Sequence, residues 1–174
     1  MIHIIILYTK RPFIRIYNQR LHLTAATGDD KMARFEESVT INRPVEDVFT
    51  YATEIKNWPQ WHETIVEAEQ TSQGPVGVGT TFKGKASMEG RTMEFMGKMT
   101  VYDPYKRDGK VMDFGNFVID NTLIFAPTDG GTRFTLVYDV KVRGLAKLMS
   151  SRINSGMHQE LKQAVSKLKT VLES

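Results

Sequence analysis

From Thr64 to Val142 the chain reads as short strand-like runs separated by turn signals, and from Leu145 onward its apolar residues take up a helical spacing. Hairpins followed by one long amphipathic helix leave few ways to bury both apolar faces. The turn signals are Gly74-Pro75-Val76-Gly77, Glu89-Gly90, Asp108-Gly109, Gly115-Asn116 and Asp129-Gly130-Gly131. They set expected strands at 64–70, 80–88, 92–102, 111–114, 117–125 and 132–142. A seventh precedes them, because Phe35, Glu37, Val39 and Ile41 alternate with Glu36, Ser38 and Thr40. Consecutive hairpin-linked strands predict an antiparallel sheet.

Leu145, Met149, Ile153, Met157, Leu161, Val165, Leu168 and Leu172 recur at steps of four with a single step of three, which predicts a long amphipathic helix. Each step of four overshoots a helical turn by about 40°, so a bend is expected at Ser155-Gly156. After the first strand, Asn42 and Pro44 supply a helix start, with Glu46 and Asp47 in its first turn and Val45, Val48, Phe49 and Ala52 on one face. Pro59 forbids a regular helix through Asn57-Trp58-Pro59-Gln60-Trp61-His62, which is expected to form a compact turn or a single helical turn.

Charge divides the chain. Its whole net charge of +3 lies in residues 1–31, where Lys10, Arg11, Arg15, Arg20 and Lys31 face only Asp29 and Asp30. Residues 32–174 are balanced, with 18 basic and 18 acidic residues, and offer no broad field to a phosphate backbone; no nucleic-acid partner is expected. The first 31 residues are expected to form an extension, either a leader before a start at Met32 or a small surface element, and 32–174 the domain. At 174 residues and 41% hydrophobic content a single compact domain with a core is expected. Zero Cys removes disulfides and thiol catalysis. The apolar run Ile4–Leu7 falls far short of the roughly 20 residues of a membrane-spanning helix. With no export signal apparent, a cytoplasmic location is the expectation.

The stretches FEESVTINRPVEDVFTYATEIKNWPQW, VGTTF, MTVYDPYKR and FAPTDGGTRFTLVYDV resemble the SRPBCC or START-like superfamily, and within it the polyketide cyclase/dehydrase-like group. The resemblance runs from about residue 34 to the end. It implies an α+β helix-grip fold: a curved seven-stranded antiparallel sheet wrapped around the C-terminal helix, with one or two short helices after the first strand. It also implies a hydrophobic cavity between sheet and helix, closed at one end by the segment after the first helix.

Alternation then proposes which side chains face that cavity: Phe35, Val39, Phe82, Met93, Phe95, Met99, Phe117, Asn121, Leu123, Phe134, Leu136 and Tyr138, with Met149, Ile153, Met157 and Leu161 from the helix. Flexible, polarizable Met side chains suit an adaptable apolar site, although Met and Phe at period 2 serve an ordinary core equally well. Trp58, Trp61 and His62 would stand at the cavity entrance, either gating it or simply packing the turn onto the sheet. A buried polar group must find a partner, which makes Tyr138, Glu37, Asn121 and His62 the candidates for acid/base work; a solvated or Lys-paired Glu37 is the plain alternative. The four His residues lack metal-ligand spacing, and neither a metal nor another cofactor is expected. Gly74, Gly77 and Gly79 lack the strand, helix and Lys-Ser/Thr ending of a phosphate loop, and no GxSxG accompanies Ser150, Ser151 or Ser155. Lys83 and Lys85 fall on the outward face.

Three functions remain open. The first is binding or transport of a small hydrophobic molecule such as a lipid, isoprenoid, quinone or polyketide-like compound. The second is a polyketide aromatase/cyclase or dehydratase, in which positioning and proton transfer share the work. The third is a protein or membrane-surface interaction module. Convergence of two or more of the polar candidates on one buried point distinguishes the enzyme from a passive apolar cavity.

Overall fold

The computed structural model describes residues 33–88, 90–143 and 150–174, with the backbone alone for 150–155. The expectations for residues 1–31, Leu145 and Met149 and for the Ile153 side chain lie outside what is described.

Strand β1 (Ala33–Ile41) leads into helix α1 (Val45–Thr53), one 3-10 turn over Ile55–Asn57 and the short helix α2 (Trp58–Trp61). Six strands follow: β2 (Ile65–Gln70), β3 (Thr81–Met88), β4 (Arg91–Asp103), β5 (Arg107–Asp113), β6 (Phe117–Thr128) and β7 (Gly131–Val142). Helix α3 (Ser150–Glu173) ends the chain and continues through Gly156 without interruption. The sheet order is β1-β7-β6-β5-β4-β3-β2 with every pair antiparallel. This is the helix-grip architecture, a curved sheet closed over the C-terminal helix.

The period-2 alternation turns one side of the strands inward, where most of the residues proposed for a cavity are packed as core. Phe35, Phe82, Phe95, Phe117, Leu123, Phe134 and Leu136 enter one core with Met157, Leu161 and Leu168 of α3, while Val39 and Met93 pack half-buried against it. Met99 is fully buried as well. On the outer face Lys83 and Lys85 pair with Glu69 and Glu67 at 2.8 and 2.7 Å, as a solvated face should. Helix α1 starts at Pro44 without a side-chain cap; Asn42 instead donates its backbone N–H to Glu173 at 2.6 Å and so ties β1 to the end of α3. Between β3 and β4, Phe82 pairs with Gly97 and Gly84 with Phe95. Each ring lies across the opposite glycine, where a Cβ would overlap it.

One expectation is overturned. Asp108-Gly109 is not a turn: the chain reverses earlier, at Pro104–Lys106, with Tyr105 at φ 64°, and β5 begins at Arg107. A bulky residue in the left-handed region is an uncommon turn former, so the Asp-Gly dipeptide outweighed it in the sequence. Gly109 serves a close approach to Val101 instead, because a Cβ there would stand 3.0 Å from the Val101 Cβ. The consequence for function is large, because Asp108 and Lys110 move from a surface loop to the inward face.

Candidate functional site

The register of three neighbouring strands builds the site. Lys110 of β5 stands opposite Asn121 of β6, which stands opposite Tyr138 of β7. Their side chains form one polar row on the concave face, and all three are buried, at 3%, 4% and 3% exposure. His62 follows α2 as its C-cap, with Pro59 in the first turn where its missing N–H costs nothing, and its backbone N–H donates to the Trp58 carbonyl at 2.9 Å. That turn aims the imidazole at the row: His62 Nε2 lies 2.5 Å from Tyr138 Oη, with the two rings stacked at 12°. On the far side of the ring, His62 Nδ1 lies 3.0 Å from Thr64 Oγ1, and the Thr64 hydroxyl donates to Glu160 Oε1 of α3 at 3.0 Å.

Of these groups Lys110, Asn121, Tyr138 and His62 line a small pocket with Trp58, Trp61, Ile65, Met112 and Leu123. The described lining encloses about 20 Å³, room for about one water molecule. Lys110 sits 4.9 Å from the centre of the Trp58 ring, a cation–π distance, and forms an ion pair with the fully buried Asp108. Among the described residues, Trp58 Nε1, Trp61 Nε1, Asn121 Oδ1 and, apart from its ion pair with Lys110, the Asp108 carboxylate are buried without a hydrogen-bond partner. Two tryptophans, an amide and an ion-paired cation thus surround a single enclosed space, and unsatisfied polar groups buried this way are costly unless a polar ligand uses them.

Burial sets the electrostatics. It lowers the His62 pKa to about 4, helped by the positive charge of Lys110, so the imidazole is neutral at neutral pH. Burial also pushes the Tyr138 phenol well above its ordinary value, with the Glu160 charge adding to the effect and the Asn121 amide opposing it. Glu160, 13% exposed at its side chain, is raised to about 7, again by burial, with the Thr64 hydroxyl pulling the other way.

Of the polar candidates named from the sequence, His62, Tyr138 and Asn121 come together and Glu37 does not. Glu37 is half-buried on the edge strand β1, opposite Leu136, and takes no part in the pocket lining. Trp58, Trp61 and His62, expected either to gate an entrance or to pack the turn onto the sheet, are 4%, 3% and 4% exposed, and both tryptophans pack in the core. Lys110, Thr64 and Glu160 were not singled out. Lys110 was hidden by the misplaced turn; the spacing Asp108-x-Lys110-x-Met112 carried its inward parity. Glu160 follows Met157 by three on the apolar stripe, where an acid is conspicuous, whereas Thr64 left no signal. Among the described residues no group of three or more His, Asp or Glu could hold a metal ion, and no helix is long and apolar enough to cross a membrane.

Residues 32–173 match the family described as polyketide cyclase / dehydrase and lipid transport. The fold is similar to that of the Zhui aromatase/cyclase from Streptomyces sp. R1128, with a TM-score of 0.73 and 11% identity over 82% of this chain and 94% of that one. TTHA0849 from Thermus thermophilus gives 0.69 and 17% identity over 80% of this chain and 97% of the other. The di-domain aromatase/cyclase StfQ of the steffimycin pathway gives 0.62 and 14% identity, with 83% of this chain covering 53% of that one. Identities this low show the fold alone. No curated protein matches the chain in sequence.

Proposed function

The chain belongs to the polyketide cyclase/dehydrase and lipid transport family, and from that premise we propose that it is an enzyme of the cyclase/dehydratase type acting on a small poly-β-ketone-like compound. The observation that carries this reading is the convergence of His62, Tyr138, Asn121 and Lys110 on one buried pocket; as it stands the pocket has room for about one water, so the reading requires it to open around the substrate. A passive carrier of an apolar molecule gains nothing from buried polar groups and bears their desolvation cost. An enzyme that makes and consumes an enolate needs them.

Aldol-type ring closure removes a proton from carbon, attacks a carbonyl with the resulting enolate, protonates the new alkoxide and then eliminates water. The Lys110 cation and the free indole N–H groups of Trp58 and Trp61 suit the enolate and carbonyl oxygens. Tyr138, hydrogen-bonded to His62, is the group that gives and takes the proton, and neutral His62 accepts from it. Asn121 Oδ1 is free to accept from an enol or hydroxyl of the substrate. The remaining lining, Ile65, Met112 and Leu123, is apolar and leaves room for about one water.

The test is a product assay. A synthetic poly-β-ketone thioester is incubated with and without the protein and the mixture is resolved by chromatography and mass spectrometry. The reading expects one cyclised, dehydrated product in excess over the uncatalysed mixture. Ketone returned unchanged, with a product distribution identical to the control, contradicts it.

A further inference from the structure

His62 Nε2, the nitrogen that faces Tyr138, comes within 3.8 Å of Glu160 Oε1, too far for a direct hydrogen bond, so the hydrogen-bonded path from the ring to Glu160 leaves by the other nitrogen, Nδ1. Thr64 Oγ1 bridges them, 3.0 Å from each, and this fixes how the protons run. A hydroxyl has one hydrogen. When it donates to the ionised Glu160 it can only accept from His62, so His62 carries its hydrogen on Nδ1, leaves Nε2 bare and takes the Tyr138 hydrogen bond there. With a proton on Glu160 the whole sequence reverses: Glu160 donates to Thr64, Thr64 donates to Nδ1, and His62 Nε2–H donates to Tyr138 Oη. In that second arrangement the phenolic hydrogen of Tyr138 is released from His62 and turns toward the pocket.

We propose that Glu160, Thr64, His62 and Tyr138 form a proton relay that connects the buried pocket to the flank of α3, with Glu160 as the terminal proton store. The proposal rests on the acid/base reading of the pocket and adds the route by which that site is recharged. In the base direction a substrate C–H proton passes to Tyr138 Oη as the phenolic proton passes to His62 Nε2. The Nδ1 proton passes to Thr64 and the Thr64 proton to Glu160. Each O–H or N–H bond broken is matched by one formed, and a single negative charge moves from Glu160 to the substrate enolate, beside Lys110. The acid direction is the same sequence reversed. Burial follows the route: Tyr138 and His62 are buried, at 3% and 4% exposure, whereas Thr64 and Glu160 are half-buried, and of these two Glu160 is the titratable one, placed to exchange protons with water.

The order of the groups gives Thr64 its purpose. It is held in the turn before β2 by the Ile65 N–H to His62 carbonyl bond at 2.9 Å and by the Ser87 N–H donating to its own carbonyl at 2.7 Å. The charged and titratable groups facing the relay are Tyr138 from β7, Lys110 with its counter-ion Asp108 from β5, and Glu160 itself from α3. Burial, and after it the charge of Lys110, disfavours a second proton on His62, which keeps the imidazole neutral so that a tautomer change, rather than an imidazolium, carries the proton through.

The test reads the tautomer directly and needs no substrate. Imidazole 15N shifts of the uniformly labelled full chain are followed from pH 5 to 9, with His62 assigned by its loss in His62→Gln. The relay expects the Nδ1–H tautomer at high pH and the Nε2–H tautomer at low pH, changing over near pH 7. In Glu160→Gln a single tautomer should persist across the range; Thr64→Val should uncouple the ring and Thr64→Ser should restore the change. A wild-type ring that never changes tautomer overturns the proposal. So does one that becomes doubly protonated near pH 7, or a change that survives in Glu160→Gln. The product assay fails or succeeds independently: an intact tautomer change with no turnover removes the poly-β-ketone reading and leaves the relay in place.

Discussion

Glu160 and His62 are shifted in opposite senses by the same burial, and the two shifts act on stability over overlapping pH ranges. Glu160 is raised from 4.5 to about 7. Between those values the folded chain holds a proton that the unfolded chain has released, so stability falls as pH rises, and the full cost is present above pH 7. His62 is lowered from 6.5 to about 4; across that window the unfolded chain binds the extra proton, and stability rises with pH. Glu160→Gln removes the first effect while keeping an acceptor for Thr64. We predict that it stabilises the protein at pH 8 by up to about 3 kcal/mol, at roughly 1.4 kcal/mol per pKa unit, and by nothing measurable below pH 4.5. Urea denaturation midpoints at the two pH values check this. Equal midpoints for the variant and the parent at pH 8 would show that the carboxylate is solvated after all.

At the scale of elements, β5 decides the chemistry of the pocket. It delivers an ion pair, Asp108 with Lys110, at 0% and 3% side-chain exposure. Removing one partner of such a pair strands the other in a low-dielectric interior, which costs about 3–5 kcal/mol, while replacing both by apolar residues of similar volume is far milder. Lys110→Met is therefore expected to destabilise the fold by about 3–5 kcal/mol, and Asp108→Leu with Lys110→Met to recover most of that loss in the same denaturation measurement. Strand β5 is also where the sequence was hardest to read. The meander and the terminal helix were legible because their apolar periods are long and regular. Asp108-Gly109 carried a strong local turn signal that the tertiary environment overrode: Gly109 lies close against Val101, and the actual reversal uses Tyr105 in a conformation that its side chain does not advertise. A one-element error of this kind hid Lys110, since inward parity can be counted only once the strand is known to exist.

At the scale of the whole molecule, site and fold have different origins. The helix-grip architecture follows from a curved sheet needing to cover α3, and the same shape recurs in proteins only 11–17% identical. The pocket chemistry follows from long-range register. Lys110, Asn121 and Tyr138 meet because β5, β6 and β7 pair in one phase, and Glu160 joins them from a helix 22 residues further along the chain than Tyr138. Parity alone reached Asn121 and Tyr138, and the aromatic turn pointed to His62. Glu37 shared that parity but sits at the sheet edge, away from the convergence point. No local pattern could announce Thr64, whose part depends on three partners that are distant in sequence.

The central claim is that Tyr138 moves protons rather than merely lining a cavity, and steady-state kinetics of Tyr138→Phe on the poly-β-ketone thioester test it most directly. The substitution deletes one buried hydroxyl and keeps the ring. Loss of a positioned acid/base group predicts a fall in kcat of about 10²–10⁴ with KM little changed and an unaltered circular dichroism spectrum. A variant that keeps its kcat and changes only KM would contradict the claim and make the pocket a binding site alone.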